Sequence, residues 1–371
     1  MRQNELTREG EHLMTVCNSC RYCEGYCAVF PAMELRLNFT EGDLNYLANL
    51  CHNCSACYYA CQYAPPHEFA INPAQTFAKI RLRSYQKYAW PEPLAKAFTR
   101  NGLLVSLVLS SAVIVFLLGS AFLLGGKALL TRVPDGNFYQ ITSHEFLTVT
   151  FGSISLLVVI ALLVGFVRFW HDAGERLSDL LHPFVWIQAL KDVLRLEYLD
   201  SGARHCSYPR DQPSQARRWF HHFTFYGFML CFAATSVAAL YHYAFRWIAP
   251  YGYTSLPVVL GTLGGIGLLV GPVGLYRLER RRNRVTSDES QYGMDVVFLA
   301  LLVLTSFTGL LLLLLRETVG LGALLLTHLG VVMALFLTLP YGKFVHGVYR
   351  TAALIKYALE RSRSQNGTED S

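Results

Sequence analysis

The sequence predicts an all-α protein in two parts: a cysteine-rich helical head over residues 1–92 and a six-helix transmembrane bundle over residues 93–371. Three observations lead there. Of the 371 residues 53% are apolar and only 16% charged, a balance too apolar for a chain that lives mostly in water. The apolar residues are concentrated after the first hundred positions, in runs long enough to cross a bilayer. The head before them is polar and holds eight of the ten cysteines, in two copies of one pattern.

That pattern is C-x2-C-x2-C-x3-C, at Cys17, Cys20, Cys23, Cys27 and again at Cys51, Cys54, Cys57, Cys61. Three cysteines at intervals of three wrap three iron corners of a cubane cluster, and in two-cluster ferredoxins the fourth ligand comes from the other motif. One cluster is therefore assigned to Cys17, Cys20, Cys23 and Cys61, and the second to Cys51, Cys54, Cys57 and Cys27. This makes the head a two-cluster 4Fe–4S ferredoxin-like domain. Structural zinc is the competing reading, but zinc knuckles use paired C-x2-C and leave the third cysteine surplus. Residues 1–14 carry no apolar run fit for a secretory signal, so the head is expected in the cytoplasm with its thiols reduced. The residue after each fourth cysteine is Ala28 or Gln62 rather than the usual proline, although Pro31, Pro65 and Pro66 stand close enough to end local helices.

The head should be helical. Thr40 with Asp43 has the form of a capping box ahead of Leu44, Leu47 and Leu50, which recur at helical spacing. Asn72 and Pro73 suit the cap and first turn of another helix, made basic by Lys79, Arg81, Arg83 and Lys87. A solvated face and a juxtamembrane site fit those basic residues equally well.

Six apolar runs follow: Leu103 to Leu124, Phe146 to Val167, Phe223 to Phe245, Leu256 to Tyr276, Val296 to Leu315 and Leu321 to Leu339. Each approaches the ~20 residues a helix needs to cross the hydrocarbon, and none contains Asp, Glu, Lys or Arg. With the head inside, Arg280, Arg281, Arg282 and Arg284 and the C-terminal tail also fall on the cytoplasmic side. The net charge of +6 is thus distributed as in a multi-pass protein of the bacterial inner membrane, and nucleic acid is not an expected partner. The glycines of the fourth run, from Gly261 to Gly274, suit close helix packing.

Ionisable side chains in spans are functional candidates by default. His221, His222 and His242 bracket the third span, and His328 and His346 are assigned to the sixth. The two helices run in opposite directions, so His221 or His222 comes level with His346, and His242 with His328. These are two potential bis-His sites for haem b, giving one or two haems. At ~100° per residue, positions 328 and 346 share a face, while 221 lies nearer the face of 242 than 222 does, so His221 is preferred over His222. Pro340 between the last pair is a point where the helix can bend. His144 and His171 at the ends of the second span are substitute ligands. Hydrogen-bonded interfacial histidines are the bland alternative. Cys231 reads as an apolar filler, Cys206 as a reduced loop thiol, and Trp170, Trp219 and Trp247 as interface anchors.

The double cysteine motif, the basic helix, the six runs and the stretch Arg217-Arg218-Trp219-Phe220-His221-His222-Phe223-Thr224-Phe225-Tyr226-Gly227-Phe228 together resemble the tricarballylate or citrate utilisation protein B family over nearly the whole chain. The membrane half is similar to cytochrome b subunits such as the gamma subunit of respiratory nitrate reductase, in which histidines on two helices bind two haems. The resemblance implies a soluble FAD-dependent dehydrogenase partner that oxidises tricarballylate, with this chain reoxidising its flavin and passing electrons to the membrane quinone pool. The eight cysteines carry over one by one, whereas the double histidine leaves a choice. Gly-x-Gly patterns occur only in or beside the fourth run, outside any strand-turn-helix context, so an organic-substrate or nucleotide site is not expected. A non-catalytic redox sensor, and the same module serving a different flavoprotein, are the alternatives.

Overall fold

A computed structural model describes residues 3–97, 101–124, 132–200 and 207–369, and among them the regular structure is helical. Cys206 lies outside the described residues. The head consists of α1 (Gln3–Cys20), α2 (Val29–Glu34), α3 (Glu41–Leu50), α4 (Ala56–Tyr59) and α5 (Pro73–Tyr88). The capping box ahead of α3 closes in both directions: Asp43 N–H donates to Thr40 Oγ1 and Thr40 N–H to Asp43 Oδ2, each at 3.1 Å. Leu44, Leu47 and Leu50 turn into the core with Met14, Met33 and Phe77. At α5, Gln75 N–H donates to the Asn72 side chain at 3.2 Å, and Pro73 occupies the first turn. Pro31 sits inside the first turn of α2 instead of ending a helix, a place where its missing N–H costs nothing.

After α6 (Glu92–Ala97), the chain enters α7 (Asn101–Leu124), whose described apolar stretch is Leu107–Gly119. Five further helices are long and apolar enough to cross a membrane: α8 (His144–Asp172), α10 (Ala216–Phe245), α11 (Leu256–Arg280), α12 (Glu289–Leu314) and α13 (Leu321–Thr338). The amphipathic α9 (Pro183–Arg195) lies between α8 and α10. Helices α10 and α11 touch almost backbone to backbone. A Cβ at Gly264 would stand 2.8 Å from the Cys231 amide nitrogen, and one at Gly267 would stand 2.9 Å from the Phe223 carbonyl oxygen.

His328 and His346 do not share a helix. The helix ends at Thr338, the chain turns through residues 339–344 around Pro340, and α14 (Val345–Glu369) begins afresh. Proline removes one ladder hydrogen bond and clashes with the preceding turn, so the common face expected for the two histidines is lost. Helix α14 lies against the head instead of continuing the bundle: Arg36 and Tyr46 both bond the Glu360 carboxylate.

The head is seated on one end of the bundle. Asp172, closing α8, accepts from Lys87 at 2.8 Å and Asn45 at 3.0 Å. Gln291 of α12 donates to Ala78 O at 2.6 Å, and Asn72 to Val285 O at 2.8 Å. Trp170 is no interface anchor: it is fully buried, its indole N–H donates to Arg176 O at 2.8 Å, and it stacks on Phe166. Trp219 and Trp247 are exposed, as anchors would be.

Candidate metal centres

The two cysteine motifs fold differently but share one backbone feature. Cys17 and Cys20 ride the last turn of α1, whereas Cys51 follows the end of α3 and Cys57 lies on α4. Arg21 and Ser55, each the residue after the second cysteine of its motif, are both left-handed, with φ of 54° and 65°. For residues other than glycine that conformation costs about 1 to 2 kcal/mol, and it persists only where the surroundings impose it.

The folded chain sorts the cysteines into two sets. Cys17, Cys20, Cys23 and Cys61 line a cavity of about 260 Å³, together with Tyr22, Gln62 and Tyr63. Cys27, Cys51, Cys54 and Cys57 line a second, smaller cavity, and Cys57 and Phe30 border both. Cys61 thus stands with the first motif's cysteines and Cys27 with the second's, while Cys57 borders both cavities. Among the described residues no group of three or more His, Cys, Asp or Glu is arranged to hold a single metal ion. The thiols of the first set stand around a space of the size a multi-iron core requires. Burial, then repulsion from Cys61, Cys23 and Cys20, pushes the Cys17 thiol up to about 12. Burial and the neighbouring thiols likewise raise Cys27 and Cys57 well above the usual thiol range. Thiolates crowded in this way ionise only against a polycation, which an iron core supplies.

Hydrogen bonds reach the sulfurs from the chain itself. Asn53 N–H donates to Cys51 Sγ at 3.3 Å. Gln62, in the place usually held by proline, points its amide at Cys20 Sγ at 3.8 Å. Three arginines not singled out from the motifs meet behind the second set, where they bond the carbonyls of Cys51, His52 and Asn53. One of them, Arg81, belongs to the basic helix and is buried, so that helix is not merely a solvated face. His52 is buried beside them; burial first, then Arg350, Arg217 and Arg81, depress its basicity well below the ordinary histidine value.

Arg217 stands one turn ahead of His221 on α10, and His221 meets His346 with ring centroids 6.1 Å apart. Two imidazoles sharing one metal through ~2.0–2.1 Å bonds lie roughly 6.4 Å apart by the same measure, so two nitrogens at this spacing, on rings inclined at 75°, could hold a metal ion between them. His346 Nδ1 lies 2.5 Å from the Lys343 carbonyl oxygen, which can only accept; the proton sits on Nδ1 and Nε2 keeps its lone pair. Burial, then Lys343, Arg350 and His221, lower the basicity of His346 well below the ordinary histidine value. Nδ1 of His221 is buried without a hydrogen-bond partner. His222 turns to Trp219 and Tyr226.

At the other end of the bundle, His242 and His328 do not come together. His242 stacks on His144 with centroids 3.9 Å apart and planes within 9°, too close and too parallel to flank a metal. His328 Nδ1 lies 2.9 Å from the Thr308 hydroxyl of α12. Helix direction predicts equal depth, but α10 packs chiefly on α11, whereas α13 packs on α7, α12 and α8. His171 is exposed at the head end of α8.

A cysteine-rich helical head docked on a bundle of apolar helices defines a membrane-type protein with a ferredoxin-like iron–sulfur domain. Residues 10–87 match the Citrate utilization protein B Fer4-like domain, and residues 97–367 match Citrate utilization protein B. The chain belongs to the citrate utilization protein B family. It is 51% identical over 366 residues to Citrate utilization protein B of Escherichia coli, covering 97% of this chain and 94% of that one. No solved structure matches the chain.

Proposed function

We propose that this protein is the electron-transfer subunit of a quinone-reducing system in the bacterial cytoplasmic membrane, with its head and C-terminal helix in the cytoplasm. Its eight cysteines would hold two 4Fe–4S clusters, and His221 and His346 one haem b. The relative's name points to citrate utilization, and with the resemblance drawn above this supports a soluble FAD-dependent dehydrogenase of a tricarboxylate such as tricarballylate as the donor.

The observation that carries the reading is continuity. The two cysteine cavities share Cys57 and Phe30 as a common wall. Behind the second, Arg217 joins the His52 carbonyl at 2.8 Å to the helix that bears His221. Clusters and haem supply one-electron steps when bound; the chain supplies their order, from an outer set near the head surface to an inner set at the bundle and then to the paired histidines. Six spans are proposed, with α7 as the first.

The test is anaerobic reoxidation of the reduced flavoprotein by membranes containing this chain and added quinone, beside iron, sulfide and haem content of the purified protein. Reoxidation faster than with membranes lacking the chain supports the conduit. Equal rates with a full complement of clusters would instead point to a different donor or to a redox sensor.

A further inference from the structure

The inner cysteine set is gripped by arginines from three separate elements. Arg81 of α5 donates through Nη2 to Cys51 O at 2.8 Å and through Nε to Ala48 O at 2.9 Å. Arg350 of α14 donates to the same Cys51 oxygen at 2.5 Å. Arg217 of α10 donates to His52 O at 2.8 Å and to Asn53 O at 3.0 Å. The peptide unit whose carbonyl Arg217 holds is the one whose N–H, on Asn53, donates to Cys51 Sγ at 3.3 Å. A guanidinium on the oxygen polarises that peptide and strengthens its N–H as a donor. Among the described residues the outer motif has a single exposed counterpart: Arg21 donates through Nε to Asn18 O at 3.1 Å.

We propose that Arg81, Arg217 and Arg350 form a cationic clamp that makes the inner set the stronger electron acceptor of the two. The reduced form of any group held there carries one more negative charge. Nearby cations and hydrogen bonds to the ligating sulfur both favour that form. A guanidinium acting through one peptide in a medium of effective dielectric ~20 alters such an equilibrium by at least about tenfold. Electrons entering at the outer set are thereby drawn toward the membrane. Arg217 belongs to a membrane helix, so the seating of the head on the bundle itself sets the bias. These arginines are positioning residues: they act through the Cys51–Asn53 backbone.

The inference rests on the electron-transfer reading, and one experiment separates the two. In the full-length protein, the two clusters are titrated by paramagnetic resonance at controlled potentials, for the unaltered chain and for Arg217→Gln, Arg217→Lys and Arg350→Gln. For the glutamine variants the reduced-to-oxidised ratio of the inner cluster at a fixed potential should fall at least tenfold, equivalent to about 59 mV for one electron. The outer cluster should not move, and Arg217→Lys should recover most of the loss. Cluster signals absent from the unaltered chain would overturn the electron-transfer reading. Both clusters present, with the inner ratio unchanged in Arg217→Gln or, if that variant fails to fold, in Arg350→Gln, would overturn the clamp.

Discussion

Lys356 Nζ lies 2.6 Å from Glu175 Oε1, and the two side chains are only 6% and 5% exposed. The pair ties α14 to the turn after α8, and Arg363 adds to it from the rim at 3.0 Å. Two charges so deeply buried are tolerable only together. Lys356→Met alone should cost up to about 3 kcal/mol, because the buried Glu175 carboxylate is left with only its rim partner Arg363, while Lys356→Met with Glu175→Leu should recover much of it. Thermal unfolding of the detergent-solubilised protein, with proteolysis of α14, measures both; equal destabilisation by the single and double variants would refute the account.

Cys23→Ser and Cys61→Ser should erase the same resonance signal of the reduced protein, because both thiols line the outer cavity. Cys27→Ser should erase the other, since Cys27 lines the inner one. Loss of a shared signal from Cys23→Ser and Cys27→Ser would mean that the motifs do not exchange their fourth ligands.

Haem content should fall from one per chain to near zero in His221→Ala and His346→Ala, and stay near one in His222→Ala. The reason is that His221 faces His346 at 6.1 Å whereas His222 faces Trp219 and Tyr226. Pyridine haemochrome assay decides. A low-spin spectrum surviving both substitutions removes these histidines as ligands.

Asp43 supplies an acid-sensitive contribution. Burial alone would raise its pKa, but hydrogen bonds from Thr40 and Arg36 outweigh it and hold the carboxyl below its ordinary 3.8. A depressed carboxyl stabilises the fold above the unfolded value, and that contribution is lost as pH falls from about 3.8 through the folded value. Denaturant midpoints of the full-length protein should drop in that window, and the drop should be shallower in Asp43→Asn. Parallel curves for the two proteins would exclude the carboxyl as the source.

Much of this architecture is legible from residue spacing. The capping box at Thr40, the start of α5 at Pro73 and the packing glycines of α11 follow from local rules, because the forces that set them act within a turn or two. What spacing does not disclose is which elements become neighbours. Helical phase and depth put His242 level with His328, but the α10–α11 glycine contact gave α10 another partner, and the turn at Pro340 took His346 off the helix that bears His328. Arg81 reads like any basic residue of an amphipathic helix until Cys51, in a different segment, presents its carbonyl to it. Trp170 has the sequence position of an interface anchor, and only the packing of Phe166 and Arg176 shows it to be core. The left-handed Arg21 and Ser55 carry no composition signal at all, since neither is glycine or asparagine.

The clasp of α14 on the head has a consequence in time. A ribosome delivers the head first and α14 last, with every apolar helix of the bundle between them, and domains begin to fold as they emerge. The partners that Arg36, Tyr46 and Cys51 find in Glu360 and Arg350 do not exist while the bundle is being threaded into the bilayer. The newborn head therefore passes through a stage in which the wall around Cys51 lacks its third side. Docking of α14 after the bundle is threaded supplies that side.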